Sequence, residues 1–279
     1  MKKIFQKLLP KILGTKLNIT SYFNSKKAAL EAFIIFCAPR GGKVLPEQEA
    51  YLNDAKLEVL EHEDRTLQSY HWEGTGKKVL LIHGWESNTH RWHLLIKELQ
   101  QKNYNIYAID APAHGNSSGR VLNVPRYAAA IETAVKAYDP EIIISHSIGA
   151  LATIFHQHTY NLSNGLKKLV LLGAPSELND IMQDYKKILG LNSRMMKALE
   201  VLVIDRFGYN FKEFSGAAFA KAIKIPTLII HDKLDKITPV NASRSIHKNI
   251  PTSTYIETEG FGHSLYQDDV RTAVLKFIR

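Results

Sequence analysis

The stretch EIIISHSIGALATIFHQH (141–158) changes from a β-strand pattern to a helix pattern at a serine. Its first part, EIIIS, is rich in β-branched residues, and its second part, SIGALATIFHQH, has helical spacing. Ser147 stands at the junction, with the small residue Gly149 two positions later. A serine on so sharp a turn presents its hydroxyl beyond the sheet edge, and the helix N-terminus favours negative charge there. The stretch therefore predicts a reactive serine at the end of a parallel strand.

Short strand patterns alternate with helix patterns along the chain from residue 77. The predicted strands are 77–82, 105–109, 141–145, 167–172, 226–231 and 253–258, and the predicted helices are 89–101, 126–138, 147–158, 241–248 and 267–278. This alternation is typical of a parallel sheet covered on both faces. The patterns KLEVLEHED (56–64) and TLQSYHW (66–72) predict an antiparallel hairpin at one edge. We therefore expect an α/β fold with a mostly parallel central sheet flanked by helices.

About 50 residues without a strand pattern interrupt this series, between LLGAP (171–175) and IPTLII (225–230). Three helical patterns lie within them, so we expect a helical cap inserted at about 176–222 rather than a loop. The insert contains nine large apolar side chains, which either pack the insert onto itself or line an apolar substrate pocket. They are Met182, Leu189, Met195, Met196, Leu199, Phe207, Tyr209, Phe211 and Phe214.

Further polar motifs follow the predicted strands at their carboxyl ends, where parallel strands bring residues to one edge. His83-Gly84-Trp85 follows 77–82, and Asp110-Ala-Pro-Ala-His114-Gly115 follows 105–109. An acidic loop containing Asp232 and Asp235 follows 226–231, and His263 comes after 253–258. The order serine, acid, histidine, each beyond a different strand, predicts a catalytic triad.

These motifs together resemble the α/β-hydrolase family, of the serine esterase and lipase type with a helical cap. The resemblance runs from His83 to His263, with compatible patterning from about residue 55 to the end. It implies Ser147 as nucleophile, His263 as general base and then acid, and Asp235 as the residue that orients the histidine. It also implies an oxyanion hole formed by the backbone amides of Trp85 and Ile148. The implied active-site loops contain His83, Gly84, Asp110, His114 and His146.

The chain departs from the family pattern at three positions. Ser145 replaces the first glycine around the nucleophile, and Ala113 replaces a glycine before His114. His231 stands where the acid strand usually ends in glycine, which leaves Asp232 as a rival to Asp235. We favour Asp235 because it lies just ahead of Ile-Thr-Pro, which resembles the family's acid loop.

Two other patterns have a competing chemical interpretation. Ser117-Ser118-Gly119 also matches Ser-x-Gly, but no strand-to-helix change surrounds it. His90 and His93 have a spacing that can bind a metal, yet no third ligand is evident and both flank Trp92 at a helix start. We expect neither a metal nor a cofactor, and the sequence has no glycine-rich phosphate loop.

The net charge of +9 is concentrated near the amino end. Residues 1–43 hold nine basic residues and one acid, whereas the other 236 residues have a net charge of only +1. This distribution argues against a nucleic-acid-binding face. The sequence therefore predicts a basic extension over 1–50 and a hydrolase domain over 51–279.

The extension begins with an amphipathic pattern that has two interpretations. Its apolar residues are Ile4, Phe5, Leu8, Leu9, Ile12 and Leu13, with Lys3, Lys7 and Lys11 opposite, and we expect a helix kinked or split at Pro10. The helix either packs its apolar stripe on the enzyme's own body or makes weak peripheral contact with anionic membranes. Lys7, Pro10 and Lys11 interrupt the apolar run that a secretory signal needs. A single cysteine excludes an intrachain disulfide, so we expect a cytoplasmic protein, at most peripheral to a membrane.

The expected function is hydrolysis of a carboxylic ester or related acyl bond through an acyl-enzyme. The expected partner is a small acyl substrate that is apolar in part. The alternative is a protein of the same fold that binds a ligand or partner without turnover.

Overall fold

The computed structural model describes residues 2–63, 65–160 and 165–279, and side chains from residue 8 onward. The chain divides into two units. We call Pro39–Ser176 with Gly216–Arg279 the sheet unit, and Met1–Ala38 with Glu177–Ser215 the helical unit. Both units are discontinuous in sequence, and all three tryptophans, Trp72, Trp85 and Trp92, belong to the sheet unit.

The strands and helices follow the predicted alternation closely. The strands are β1 (Lys56–His62), β2 (Arg65–Trp72), β3 (Lys78–Ile82), β4 (Asn105–Ile109), β5 (Ile142–His146), β6 (Lys168–Leu172), β7 (Thr227–Asp232) and β8 (Ser253–Thr258). The helices are α1 (Lys2–Phe23), α2 (Ser25–Cys37), α3 (Pro46–Asn53), α4 (His93–Gln100), α5 (Val124–Tyr138), α6 (Ile148–Thr159), α7 (Leu178–Leu189), α8 (Ser193–Phe207), α9 (Gly216–Phe219), α10 (Val240–Lys248) and α11 (Asp268–Ile278).

The described strands form one sheet in the order β1-β2-β4-β3-β5-β6-β7-β8. The strands from β4 to β8 pair in parallel, whereas β2 pairs antiparallel with both β1 and β4. The antiparallel hairpin therefore lies at one edge, although Asp64 of its predicted turn lies outside the described residues. The prediction of a mostly parallel α/β fold is confirmed.

Alternate residues of the central strands are buried on opposite faces of the sheet, as the pleat requires. On one face, Val79, Ile144 and Val170 pack in a core with Ile96 of α4 and Val274 of α11. On the other face, α5 contacts β3 while α6 contacts β5 and β6. Helices on both faces explain why these strands are apolar throughout.

The helical unit contains α1, α2, α7 and α8. Helix α1 contacts α2, α7 and α8, and α2 contacts α8. A Cβ at Gly14 would lie 1.8 Å from the carbonyl oxygen of Leu189, so this close approach of α1 to α7 requires glycine. Asn18 adds two hydrogen bonds, to the carbonyl of Gly190 and from the amide of Asn192, both 2.9 Å. The amino-terminal segment and the first two insert helices thus form one packed unit.

The insert's apolar residues are mostly buried, which favours packing within the protein. Seven of the nine are buried: Met182, Leu189, Met195, Met196, Leu199, Phe211 and Phe214. Phe207 contacts Phe33 of α2 with ring centroids 5.9 Å apart. The third predicted helical segment of the insert becomes the short α9, which belongs to the sheet unit.

Helix α1 continues through Pro10 and is not split there. Proline removes one backbone hydrogen bond, but the following turns are held by the packing around Gly14 and Leu17. None of the helices in the described part of the chain is long and apolar enough to cross a membrane.

Candidate active site

Ser147 occupies a strained turn between β5 and α6. Its φ is 55° and its ψ is −128°, a combination that residues with a side chain rarely adopt. The Ser147 amide donates a 2.8 Å hydrogen bond to the carbonyl of Leu172 on β6. The turn is thus fixed to the neighbouring strand, and strain of this kind persists only where the surroundings enforce it.

Two glycines allow the backbone to close around this serine. A Cβ at Gly149 would lie 2.3 Å from the carbonyl oxygen of His83, and one at Gly84 would lie 2.9 Å from the Cβ of Ser147. Ser145 needs no such space, because its buried hydroxyl donates to the carbonyl of Val170 at 3.2 Å. Glycine is therefore required on the helix side of the serine but not on the strand side.

Ser147, His263 and Asp235 form a chain of two hydrogen bonds. The Ser147 hydroxyl lies 2.9 Å from Nε2 of His263, and Nδ1 of His263 lies 2.7 Å from a carboxylate oxygen of Asp235. The hydroxyl of Thr238 lies 2.9 Å from the same Nδ1. With the carboxylate bound at Nδ1, the free lone pair of the imidazole faces the serine hydroxyl. This arrangement can remove the serine proton during nucleophilic attack.

The carboxylate of Asp235 is buried but strongly hydrogen-bonded. Burial raises its pKa, but hydrogen bonds from His231, His263 and the amides of Thr238 and Ile237 outweigh that effect and hold the pKa below its usual range. Nε2 of His231 lies 3.3 Å from the carboxylate and 2.9 Å from the carbonyl of Thr238. The residue that replaces the family glycine therefore supports the acid loop.

The rival carboxylate, Asp232, has different partners. It accepts hydrogen bonds from the amides of Leu234 and Phe261 and from the hydroxyl of Thr258. Burial raises its pKa, while these donors lower it to a value below the usual range. Of the two carboxylates, Asp235 contacts His263, whereas Asp232 anchors the loop that leads to it.

The amides of Ile148 and Trp85 have no acceptor among the described residues. Ile148 is the first residue of α6, where helical geometry leaves the N–H without a partner. Trp85 directly follows Gly84, whose backbone contacts Ser147. Both predicted oxyanion donors therefore lie next to residues of the strained turn.

The predicted loop residues Asp110, His83 and His114 bind backbone groups. The Asp110 carboxylate accepts from the amides of Thr89 and Asn116 and from the hydroxyl of Tyr70. His83 accepts from the Ala111 amide at 2.8 Å and donates to the Gly84 carbonyl at 2.7 Å. His114 accepts from the Glu86 amide at 3.1 Å and donates to the Pro112 carbonyl at 3.0 Å. Each imidazole joins two loops and does not contact Ser147 or His263 in the described structure.

His146 and Arg91 together hold the loop that carries His263. His146 donates from Nε2 to the His263 carbonyl at 2.8 Å and accepts at Nδ1 from Arg91 at 2.6 Å. Arg91 also donates to the Ser264 carbonyl at 2.9 Å, and its guanidinium lies between the rings of Trp92 and Tyr266. We call these two residues the histidine clamp. Burial, with Arg91 and His263 close by, holds the pKa of His146 well below its usual range.

Sequence reasoning missed Arg91 and a second contributor to these loops. Arg91 lies in a short 3₁₀ turn, Thr89–Trp92, where one arginine among polar residues gives no signal. Residues 40–43 fall within the predicted extension, yet the Gly42 carbonyl accepts from the Gly115 amide at 2.8 Å. Gly42 has φ +85°, and a Cβ there would lie 2.8 Å from both Glu86 and His114. The positive φ and the close contact, neither of them visible in the sequence, explain the glycine.

The competing motifs have structural roles. The Ser117 hydroxyl donates to the Asp110 carbonyl and accepts from the Gln68 amide, so this serine joins a loop to β2. The rings of His90 and His93 stack with centroids 4.7 Å apart, and both contact Tyr51 edge-on. Ala113 adopts φ 69°, which explains why glycine is usual at that position.

The buried neutral histidines predict a loss of stability in mild acid. Burial, followed by the proximity of His114, lowers the pKa of His83 to about 3. The unfolded chain binds a proton there below pH ~6.5 and the folded chain does not, so the free energy of unfolding falls as pH decreases. His83→Gln should reduce the loss between pH 7 and pH 5 by about 2 kcal/mol. Urea unfolding followed by tryptophan fluorescence measures this in the sheet unit.

Aspartates and glutamates with lowered pKa values titrate mostly below pH 5. They therefore contribute little to the change in the free energy of unfolding between pH 7 and pH 5. The exposed residue His158 supplies a control for the change of histidine to glutamine itself. His158→Gln should keep the pH dependence of the parent chain. An equal pH dependence in His83→Gln and the parent would contradict the prediction.

Known proteins resemble the chain in sequence and in fold. The family model described as "Alpha/beta hydrolase family" matches residues 79–224. Protein ABHD14A of Homo sapiens is 23% identical over 211 residues, which cover 72% of this chain and 64% of that protein, just under two thirds of its length. A bromoperoxidase from Bacillus anthracis superimposes with a TM-score of 0.62 at 18% identity, covering 80% of this chain and 99% of that one.

An esterase, EaEST from Exiguobacterium antarcticum, has the same architecture. It superimposes with a TM-score of 0.61 at 16% identity, covering 79% of this chain and 99% of that one. At such low sequence identity, these structures show only that the fold is shared. The family match covers more than half of the chain and includes the serine turn. The chain therefore belongs to the alpha/beta hydrolase family.

Proposed function

We propose that the chain is a serine hydrolase that cleaves a carboxylic ester or related acyl bond. The observation that carries the proposal is the hydrogen-bonded series Ser147–His263–Asp235 at a strained strand-to-helix turn. Membership of the alpha/beta hydrolase family supports it, as does the esterase among the similar structures. The proposed substrate is a small acyl compound of the carboxylesterase or lipase type.

The proposed reaction has two acyl-transfer steps. His263 accepts the Ser147 proton while the serine oxygen attacks the carbonyl carbon, and the amides of Trp85 and Ile148 stabilise the oxyanion. The carbon–oxygen bond to the alcohol then breaks, and His263 gives its proton to the leaving alkoxide. Water attacks the acyl-enzyme with His263 again as base, which releases the acid and restores the serine. Asp235 stabilises the imidazolium in both steps.

Covalent labelling tests the nucleophile directly. A fluorophosphonate should form a phosphorus–oxygen bond with Ser147 and release fluoride. Ser147→Ala should abolish the labelling, because Ser147 is the serine that His263 contacts among the described residues. Ser117→Ala is the matched control, since Ser117 is also followed by x-Gly, and it should retain the label. An unlabelled parent chain would contradict the proposal and favour the non-catalytic alternative.

The two carboxylates should differ sharply in their effect on turnover. Asp235→Asn should lower kcat for p-nitrophenyl butyrate by roughly 10³–10⁴, because the amide no longer stabilises the imidazolium. Asp232→Asn should lower kcat by less than about tenfold, because its carboxylate binds backbone amides. Steady-state kinetics of the two variants show which carboxylate supports turnover. Equal losses in both variants would reject the assignment of Asp235.

The histidine clamp should affect turnover more than substrate binding. Arg91→Met removes the two hydrogen bonds that Arg91 makes, to His146 and to the Ser264 carbonyl, so the loop that carries His263 is held less firmly. We expect kcat to fall roughly ten- to a hundredfold with KM within about twofold, as for a misplaced catalytic group. Arg91→Lys reaches fewer acceptors than arginine but keeps the charge, and should lose less. Parent kcat in a folded Arg91→Met chain would show that the clamp has no positioning role.

A further inference from the structure

The outer face of α1 carries an exposed apolar stripe. Its members share one helical face, with spacings of four, seven and three residues, and point away from the buried side of the helix. We define the outer stripe as Leu8, Ile12, Ile19 and Tyr22, all exposed to solvent. On the opposite face, Leu17 and Ser21 are buried and Gly14 packs on α7. Helix α1 is thus held by one face and leaves an apolar face uncovered.

The exposure of these side chains distinguishes between the two interpretations of the amphipathic pattern, packing on the protein and contact with a membrane. Packing of the stripe on the protein would bury its members, yet Leu8, Leu9 and Ile12 are all exposed, whereas Leu13 is partly buried. Lys3, Ile4, Phe5 and Lys7 of the same pattern lie outside the described side chains. Three of the four described apolar members of the pattern are therefore available to an external partner.

The charge around the stripe is strongly positive. Residues 1–38 contain seven lysines and one acid, Glu31, a net charge of +6. Glu31 pairs with Lys16, whereas Lys11 donates to a backbone carbonyl, that of Lys187, at 2.5 Å. Lys26 and Lys27 are exposed at the start of α2. By helical geometry Lys11 and Lys16 flank the outer stripe on its two sides.

Further apolar groups are exposed on the adjoining residues. Phe23, at the end of α1, is 88% exposed, and Leu30 and Ile34, one turn apart on α2, are also exposed. Aliphatic and aromatic side chains beside lysines are typical of helices that lie in the lipid headgroup region. None of the described helices can cross a bilayer, which fits contact with its surface.

We propose that the outer stripe docks on the surface of an anionic lipid bilayer. The apolar side chains enter the headgroup–acyl boundary, and the surrounding lysines bind the anionic headgroups. A second copy of the chain is a poorer partner, because two faces of the same positive charge repel each other. The proposal does not depend on the hydrolase reaction, since no triad residue takes part in it.

Vesicle sedimentation with the full chain tests this docking. The chain should pellet with phosphatidylcholine vesicles that contain about a third phosphatidylglycerol, and should pellet little with phosphatidylcholine alone. Ile12→Glu/Ile19→Glu should lower the partition coefficient by about tenfold or more, because it places two carboxylates in the docking face. Lys26→Gln/Lys27→Gln should also weaken binding, by about tenfold at low salt and less at high salt.

The matched control has the same change in net charge elsewhere on the surface. Ile12 and Ile19 are each 56% exposed, and Leu57 and Val59 on edge strand β1 are 50% and 60% exposed. Leu57→Glu/Val59→Glu should bind vesicles within about twofold of the parent. Equal binding of the parent and the Ile12→Glu/Ile19→Glu chain would overturn the proposal, given matching far-UV circular dichroism.

Light scattering distinguishes lipid docking from self-association of the chain. The parent should be monomeric without vesicles at concentrations where it binds them. A parent dimer that Ile12→Glu/Ile19→Glu converts to monomer, with no vesicle binding by either chain, would assign the stripe to self-association and reject lipid docking.

Discussion

The chain leaves β5 and enters α6 through one residue, Ser147, whose backbone lies where side chains are rarely accommodated. Three neighbours impose this conformation: the Leu172 carbonyl, which binds the Ser147 amide, and the close backbone approaches at Gly84 and Gly149. Each neighbour comes from a different part of the sheet edge. The position of the serine hydroxyl therefore depends on the pairing of β5 with its neighbours β3 and β6. A shift of any of these strands would move the hydroxyl.

Histidine serves two physical purposes at this edge of the sheet. His83, His114 and His146 are buried, have lowered pKa values and act as neutral groups that both donate and accept. His83 and His114 each bind two backbone groups, and His146 binds the Arg91 side chain and the His263 carbonyl. A charged imidazolium, with two donors and no acceptor, cannot make such a pair of bonds. His263 is partly exposed and faces a hydroxyl on one side and a carboxylate on the other. Burial thus separates the histidines that hold the loops from the one placed for proton transfer.

The sequence is most informative where polar residues directly follow strands that the hydrophobic periodicity predicts. The alternation of strands and helices predicted the sheet, and the polar residues after each strand predicted which side chains meet at its edge. It could not predict Arg91 or the support from His231, because both act through tertiary hydrogen bonds that leave no local pattern. The partnership of α1 and α2 with α7 and α8 was equally hidden, because it joins segments far apart in sequence. Ala113, by contrast, departs from the family pattern in sequence, and the structure shows the positive φ that makes glycine usual at this position.

The helical unit is assembled from two distant parts of the chain, and this arrangement governs the order of events during synthesis. Helices α1 and α2 leave the ribosome well before α7 and α8 exist, because translation proceeds from the amino end. The close contact at Gly14 cannot form until the carbonyl of Leu189 has been made. In the meantime strands β1 to β6 emerge and can begin to pair. Helices α1 and α2 can therefore pack on each other early, but their contacts with α7 and α8 must wait until residues 178–207 have been made.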